Sequence, residues 1–192
     1  MTSNPTASQT IGPFFRIGLE RPGWSDLTQA RTRGVIIRIE GIVCDGDRAP
    51  VSEALLELWQ ADASGCFAHP DDTRSAAADP HFRGFGRACT DAQGRFAFRT
   101  VLPGIVAAPG GGSQAPHANL SIFARGLLKR LVTRIYFADY AEQNAVDPLL
   151  AAIGDPARRR TLIAERGDVA GGSTYRFDIV LQGEGETVFL DV

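Results

Sequence analysis

One nine-residue segment, Val35-Ile36-Ile37-Arg38-Ile39-Glu40-Gly41-Ile42-Val43, limits the folds open to this chain more than any other. It is β-branched and partly alternating, and the Asp45-Gly46 turn pair stops it. A second strand is expected over Ala54 to Trp59. A third lies around Phe96-Ala97-Phe98, where Arg95 and Arg99 flank a clean period of two behind the Asp91-Ala92-Gln93-Gly94 turn. Asn119 to Ala124 and Leu131 to Phe137 read as a hairpin pair around Arg125 and Gly126. Later, Tyr175, Phe177, Ile179 and Leu181 alternate with Arg176, Asp178 and Gln182, and Gly183 to Glu186 turns the chain into a last strand, Thr187 to Leu190. Short strands separated by turns argue a sandwich or barrel, not a doubly wound sheet. Between Asp139 and Arg166 the period changes to a helical one: Asp155-Pro156 is an N-cap followed by proline at the first helical position, with Leu162-Ile163 as the apolar face. The expected fold is a mainly β protein: a β-sandwich of mostly antiparallel strands over residues 35–192, with short helical insertions.

Residues 1–34 are different. They are polar and turn-rich, and carry an apolar set (Ile11, Phe14, Phe15, Ile17, Leu19, Trp24) that needs a surface to cover, either this chain's core or a partner's. They are expected to form an extended N-terminal arm. At 192 residues, with 44% apolar and 22% charged residues, the chain has the composition of an ordinary globular domain, which excludes collagen, coiled coil and wholesale disorder. No apolar run is long enough for a membrane span, and the N-terminus lacks the basic and apolar regions of a secretory signal, so the expected compartment is the cytoplasm. Twenty basic against twenty-two acidic residues argue against nucleic-acid binding. Cys44, Cys66 and Cys89 are odd in number and share no CxxC spacing, so they read as reduced and structural.

Taken by themselves, the residues offer little chemistry. Gly65-Cys66 and Gly110 to Ser113 lack the strand-to-helix elbow of a serine hydrolase, and the glycine-rich stretch Ala107 to Gly112 has no Lys-Ser/Thr behind it, so it reads as a connection between strands. His69, His81 and His117 form neither HxH nor HExxH. Tyr136 and Tyr175 lie mid-strand among apolar neighbours and look like core.

The order of segments nevertheless resembles a known family. Thr10-Ile11-Gly12-Pro13-Phe14-Phe15, Leu56-Glu57-Leu58-Trp59-Gln60-Ala61-Asp62-Ala63 and Phe85-Gly86-Arg87 are followed by Ala115-Pro116-His117-Ala118-Asn119-Leu120-Ser121-Ile122-Phe123-Ala124-Arg125-Gly126, then Thr133-Arg134-Ile135-Tyr136-Phe137 and the tail from Tyr175 to Phe189. Together they resemble the intradiol ring-cleavage dioxygenases, and within them the alpha rather than the beta chain of the two-chain members.

That resemblance implies a ferric ion held by two tyrosines and two histidines, where phenolates and hard donors balance the charge. Carried onto this chain, the HxH pair falls on His117 and Asn119, one tyrosine on Val106 and the other near Arg74. The arginine that precedes the HxH pair in catalytic chains falls on Gln114. One ligand of four survives, so no metal and no catalytic residue is expected here. Fe(III) is expected in a partner beta subunit, and protocatechuate and O2 are the implied substrates. Thr10 and Pro13 match positions lining the substrate channel. Arg134, which interrupts an apolar strand, is implied to bind the carboxylate of the substrate bidentately.

The ordinary alternative for Arg134 is a salt bridge to Asp178, Glu57 or Asp139, and for the N-terminal segment a flexible tail. His117 and Asn119 read as hydrogen-bonded structural residues. A second function class, a non-catalytic β-sandwich binding module that kept the fold, remains open. So does a third, in which the chain is itself complete and uses Tyr136 or Tyr175.

Overall fold

Alternation along β1 (Ile36–Cys44) sends Ile37, Ile39 and Val43 inward and Arg38 and Glu40 outward, and the same logic builds the remaining strands. A computed structural model describes residues 6–108, 111–169 and 172–191. Its strands are β2 (Leu55–Gln60), β3 (Phe85–Cys89), β4 (Arg95–Val101), β5 (Val106–Ala107), β6 (Ser113–Gln114), β7 (His117–Phe123), β8 (Leu131–Phe137), β9 (Ile163–Val169), β10 (Gly172–Arg176) and β11 (Ile179–Val180). The helices are α1 (Pro13–Leu19), α2 (Ala141–Val146), α3 (Pro148–Ala152) and α4 (Pro156–Arg160).

One curled sheet supplies both layers. The strands β4, β1, β10 and β9 form one half, and β8, β7, β2 and β3 the other. The halves are continuous through a short parallel pairing of β8 with β9, Tyr136 opposite Ile163 and Phe137 opposite Ala164. Most pairings are antiparallel, the parallel ones being β1 with β10 and β11, and β8 with β9. Residues from both halves, among them Ile37, Ile39, Leu56, Leu58, Phe98, Leu120, Ile122, Ile135 and Phe137, form one buried cluster.

At the opposite edge β3 and β4 do not pair with each other, and residues 24–27 close the gap. Arg99 N–H donates to the Ser25 carbonyl (2.8 Å) and Leu27 N–H to the Arg99 carbonyl (2.8 Å). On the other side Arg87 N–H donates to Trp24 (2.9 Å) and Arg83 N–H to Leu27 (2.9 Å). The strap thus satisfies backbone groups on both sides of the opening. It also drops Leu27, fully buried, into the core. Gly86 of β3 is required there, since a Cβ would lie 2.4 Å from the Leu27 side chain.

Four local expectations change. The N-terminal arm is not extended throughout: Gly12 and Pro13 start α1, because proline at the first helical position gives up no hydrogen bond. The helical stretch ends at Arg160, and Ile163 begins β9 instead, since pairing with the β8 edge outweighs local periodicity. The strand expected from Tyr175 to Leu181 breaks at Phe177 and Asp178, where Phe177 N–H donates to the Glu40 carbonyl (2.8 Å) and the Asp178 carboxylate accepts from Ile42 N–H (3.0 Å). Thr187 to Leu190 is not a strand: Thr187 N–H donates to Val180 and Leu190 N–H to Val132, so the segment crosses two elements without following either. The Ala107–Gly112 connection closes a small β5–β6 ribbon, with residues 109–110 outside the described set. Among the described residues no helix is long and apolar enough to cross a membrane.

The strap makes a stability prediction. Leu27→Ala removes a buried side chain that both halves share and should cost about 3 kcal/mol, whereas Phe14→Ala, at 82% exposure, should change stability by less than about 0.5 kcal/mol. Urea unfolding of the two variants checks this; equal effects would contradict the strap's role.

Candidate functional site

Register places the family positions side by side. In the β2–β7–β8 ladder Trp59 lies opposite Asn119, and Asn119 opposite Arg134. Two residues further, His117 lies opposite Tyr136. Because Ala118, Leu120 and Ile135 point into the core, His117, Asn119, Arg134 and Tyr136 share the outer face. The β5–β6 ribbon brings Val106 opposite Gln114 at the edge of this face. Val106 and Arg74 both line a cavity of about 370 Å3 walled by Trp59, Phe67 and His69. The four positions implied as metal ligands and the Gln114 position therefore converge on one region.

The chemistry of that region is built on Arg134. Its Nε donates to Asn119 Oδ1 (2.9 Å), and its Nη1 to Gln114 Oε1 (2.7 Å) and more distantly to the Tyr136 hydroxyl (3.4 Å). The ordinary salt bridge does not form. Asp178 is taken by Arg176, Glu57 by Arg87 and Asp139 by Arg166. Among the described residues no carboxylate lies within ion-pair reach of Arg134. The partly buried Arg16 and Arg87, by contrast, each hold a glutamate.

Beneath Arg134 lies a buried anchor that the sequence reading did not single out. Asp147 caps α3, accepting from Leu149 and Leu150 N–H, and its carboxylate also accepts from Ala115 N–H (2.9 Å) and the Tyr136 hydroxyl (2.9 Å). The Asp147-Pro148 pair carries the same signal as Asp155-Pro156 and was legible as a cap. Burial, above all, pushes the Tyr136 phenol up from its ordinary value, so it keeps its proton and donates it to Asp147. His117 is buried, with Nδ1 at 2.8 Å from the Ala115 carbonyl. Burial, and after it the charge of Arg134, lower its pKa to about 4 against the opposing pull of Asp147.

These residues do not fit a ferric ion. Val106 has no donor atom, and Arg74 brings a cation that is tied to the Gly65 carbonyl (2.6 Å). The Asn119 oxygen is engaged by Arg134, and the Tyr136 hydroxyl is engaged by Asp147. Among the described residues no three His, Cys, Asp or Glu side chains gather as a metal site.

Thr10 and Pro13 lie elsewhere. The Thr10 hydroxyl accepts from Gly126 N–H (2.7 Å), at the turn after β7, and Pro13 opens the exposed α1. Ala124, where that turn begins, is five residues along the chain from Asn119, about 17 Å at 3.4 Å per residue. Within one chain Thr10 and Pro13 are not gathered with Arg134.

The lowered pKa of His117 gives a pH dependence. Its folded value lies below the unfolded value near 6.5, so between the two the unfolded chain binds a proton that the folded chain refuses. The histidine therefore costs nothing above pH 6.5. It lowers stability as pH falls toward 4, where the loss levels off. His117→Gln should flatten this limb, by on the order of 2–3 kcal/mol between pH 7 and pH 4. Denaturant unfolding across that range checks it, and parallel curves for variant and wild type would contradict it.

Comparison with known proteins agrees with this geometry. A family model described as Dioxygenase matches residues 21–183. The chain is 44% identical to the protocatechuate 3,4-dioxygenase alpha chain of Pseudomonas putida, over 97% of this chain and 96% of that one. It is 37% identical to the protocatechuate 3,4-dioxygenase beta chain of Burkholderia cepacia, over 80% of this chain and 67% of the other. Among solved structures, the dioxygenase domain of a dioxygenase–carbohydrate-binding protein fusion from Streptomyces sp. SirexAA-E superposes with a TM-score of 0.59 at 28% identity, covering 94% of this chain and 99% of that one. The sequence, the curled sheet and the converging ligand positions place the chain in the intradiol ring-cleavage dioxygenases, a family dependent on ferric iron.

Proposed function

We propose that this chain is the metal-free alpha subunit of a heteromeric protocatechuate 3,4-dioxygenase, and that it shapes a substrate pocket at the interface with a beta chain. Two relatives matched over nearly their whole length, at 44% and 41% identity, are protocatechuate 3,4-dioxygenase alpha chains. The reaction adds both atoms of O2 to 3,4-dihydroxybenzoate and cleaves the ring between the two hydroxyl-bearing carbons, giving 3-carboxy-cis,cis-muconate. The Fe(III) belongs to the beta chain in this reading and supplies the catechol binding and O2 chemistry there. The cytoplasm is the compartment proposed.

One observation carries the reading: beside the family's metal-ligand positions this chain presents a partly buried guanidinium whose direct partners are neutral acceptors, the buried Asp147 carboxylate reaching it only through the Tyr136 hydroxyl. A partly buried cation with no directly paired carboxylate is a site that an anion can complete. The substrate's carboxylate is such an anion, and a planar carboxylate suits a guanidinium edge. Arg134 in this role separates a carboxylated catechol from catechol itself.

The arm supplies the second contribution. Residues 1–34 are proposed as the partner-facing element, ahead of the sandwich over 35–192. Helix α1 rests on its own chain through Phe15 against Phe123 (5.4 Å) and Arg16 against Glu53 (3.1 Å). Phe14 and Ile17, three residues apart on one helix face, are 82% and 70% exposed. That exposed pair suits burial against a partner, with Thr10 and Pro13 lining the channel beside it.

Two measurements on the co-expressed heteromer test the reading. Arg134→Ala should raise KM for protocatechuate on the order of 100-fold, the size of a lost charged hydrogen-bonded pair, and far more than it raises KM for catechol. Equal effects would remove the proposed role. Phe14→Asp with Ile17→Asp should weaken association with the beta chain in size-exclusion chromatography; if the wild-type chain associates with no beta chain at all, the non-catalytic binding module is the correct reading.

A further inference from the structure

We infer that Asn119, at a position implied as a metal ligand, and Gln114, where the resemblance implies an arginine, are positioning residues that aim the Arg134 guanidinium and leave its charge unspent. The inference rests on the proposed role of Arg134 and adds to it the groups that set its direction and strength.

The geometry is specific. Asn119 lies directly across the ladder from Arg134 and accepts from Nε at 2.9 Å. Gln114 is held at the other side: its amide nitrogen donates to the Ala107 carbonyl (3.1 Å), across the β5–β6 ribbon. That bond turns the Gln114 oxygen toward Arg134 Nη1, 2.7 Å away. Tyr136, fixed by Asp147, offers its hydroxyl oxygen to the same nitrogen at 3.4 Å. Two acceptors on different strands therefore fix the planar group. Nη2 has no acceptor among the described residues, and it is not among the buried nitrogens lacking a partner. It is open to a ligand.

Both acceptors are amides. A carboxylate at either place would hold the guanidinium as firmly, yet it would neutralise the charge that an anionic ligand has to find. The resemblance places a metal-ligating histidine at Asn119 and an arginine at Gln114. A protonatable imidazole or a second guanidinium would repel Arg134, and an amide neither repels nor neutralises it. Neutral polar residues are the types that orient a cation without spending its charge.

The test uses the co-expressed heteromer, with kcat/KM for protocatechuate divided by kcat/KM for catechol as the readout. Asn119→Ala and Gln114→Ala should each lower this ratio by roughly tenfold, the size of one hydrogen bond to a charged group, through KM and not kcat. Asn119→Asp separates aiming from simple support. This near-isosteric variant keeps the acceptor, and the Asn119 amide nitrogen donates to no group among the described residues, so a structural role predicts a wild-type ratio. Positioning of an unspent charge predicts a fall at least as large as in the alanine variants, with the thermal midpoint held or raised. A wild-type ratio in Asn119→Asp overturns the inference. If Arg134→Ala lowers the ratio while the variants at 114 and 119 do not, the inference fails and the role of Arg134 stands. If Arg134→Ala leaves the ratio unchanged, the role of Arg134 itself fails.

Discussion

Register between β2, β7 and β8 is the constraint from which the rest follows. Strand side chains alternate with a period of two, so a slip of one residue would turn Ala118, Leu120 and Ile135 to the outer face and His117, Asn119 and Arg134 toward the core between the two halves. The apolar cluster between the two halves of the curled sheet fixes that register. The same alignment puts Trp59, Asn119 and Arg134 in a row on the outer face. Core packing and the candidate site are two sides of one ladder, and the strap at residues 24–27 keeps the sheet curled by bridging the edges that do not pair.

On that face the chemistry has been exchanged while the scaffold has been kept. A ferric centre needs donors that surrender protons and charge. By the resemblance, one tyrosine position carries Val106, the other Arg74, and one histidine position Asn119. The remaining histidine holds Nδ1 against the Ala115 carbonyl, and the Tyr136 hydroxyl donates to Asp147. What stands in the region is a fixed organic cation, well suited to binding an anion. In the function proposed above, that cation recognises the substrate and the ring chemistry falls to a partner chain.

Much of this was legible in the sequence, for definable reasons. Strongly patterned strands such as Val35–Val43 and the 119–124 and 131–137 hairpin need only local alternation, and they form where expected. The misread elements depend on distant partners: Ile163 is a strand residue because the β8 edge is available to it, and Phe177-Asp178 breaks its strand because a carboxylate replaces a ladder bond at Ile42. At the site, the departures at Val106, Arg74 and Asn119 are what the family resemblance implies, position by position, and no pattern in the residues alone points to them. The pairing of Arg134 with Gln114, twenty residues away, could not be read from the sequence, since it rests on a two-residue ribbon that aims the glutamine. Asp147 was missed although its Asp-Pro cap was visible, because its contacts to Ala115 and Tyr136 come from the third dimension.

The central claim is that the iron of the assembled enzyme belongs wholly to the companion chain. Elemental analysis of the purified heteromer, with each chain quantified separately, tests it most directly. The account predicts one iron for each pair of chains and none retained by this chain after the two are separated. Two irons per pair, or stoichiometric iron on this chain alone, would contradict it.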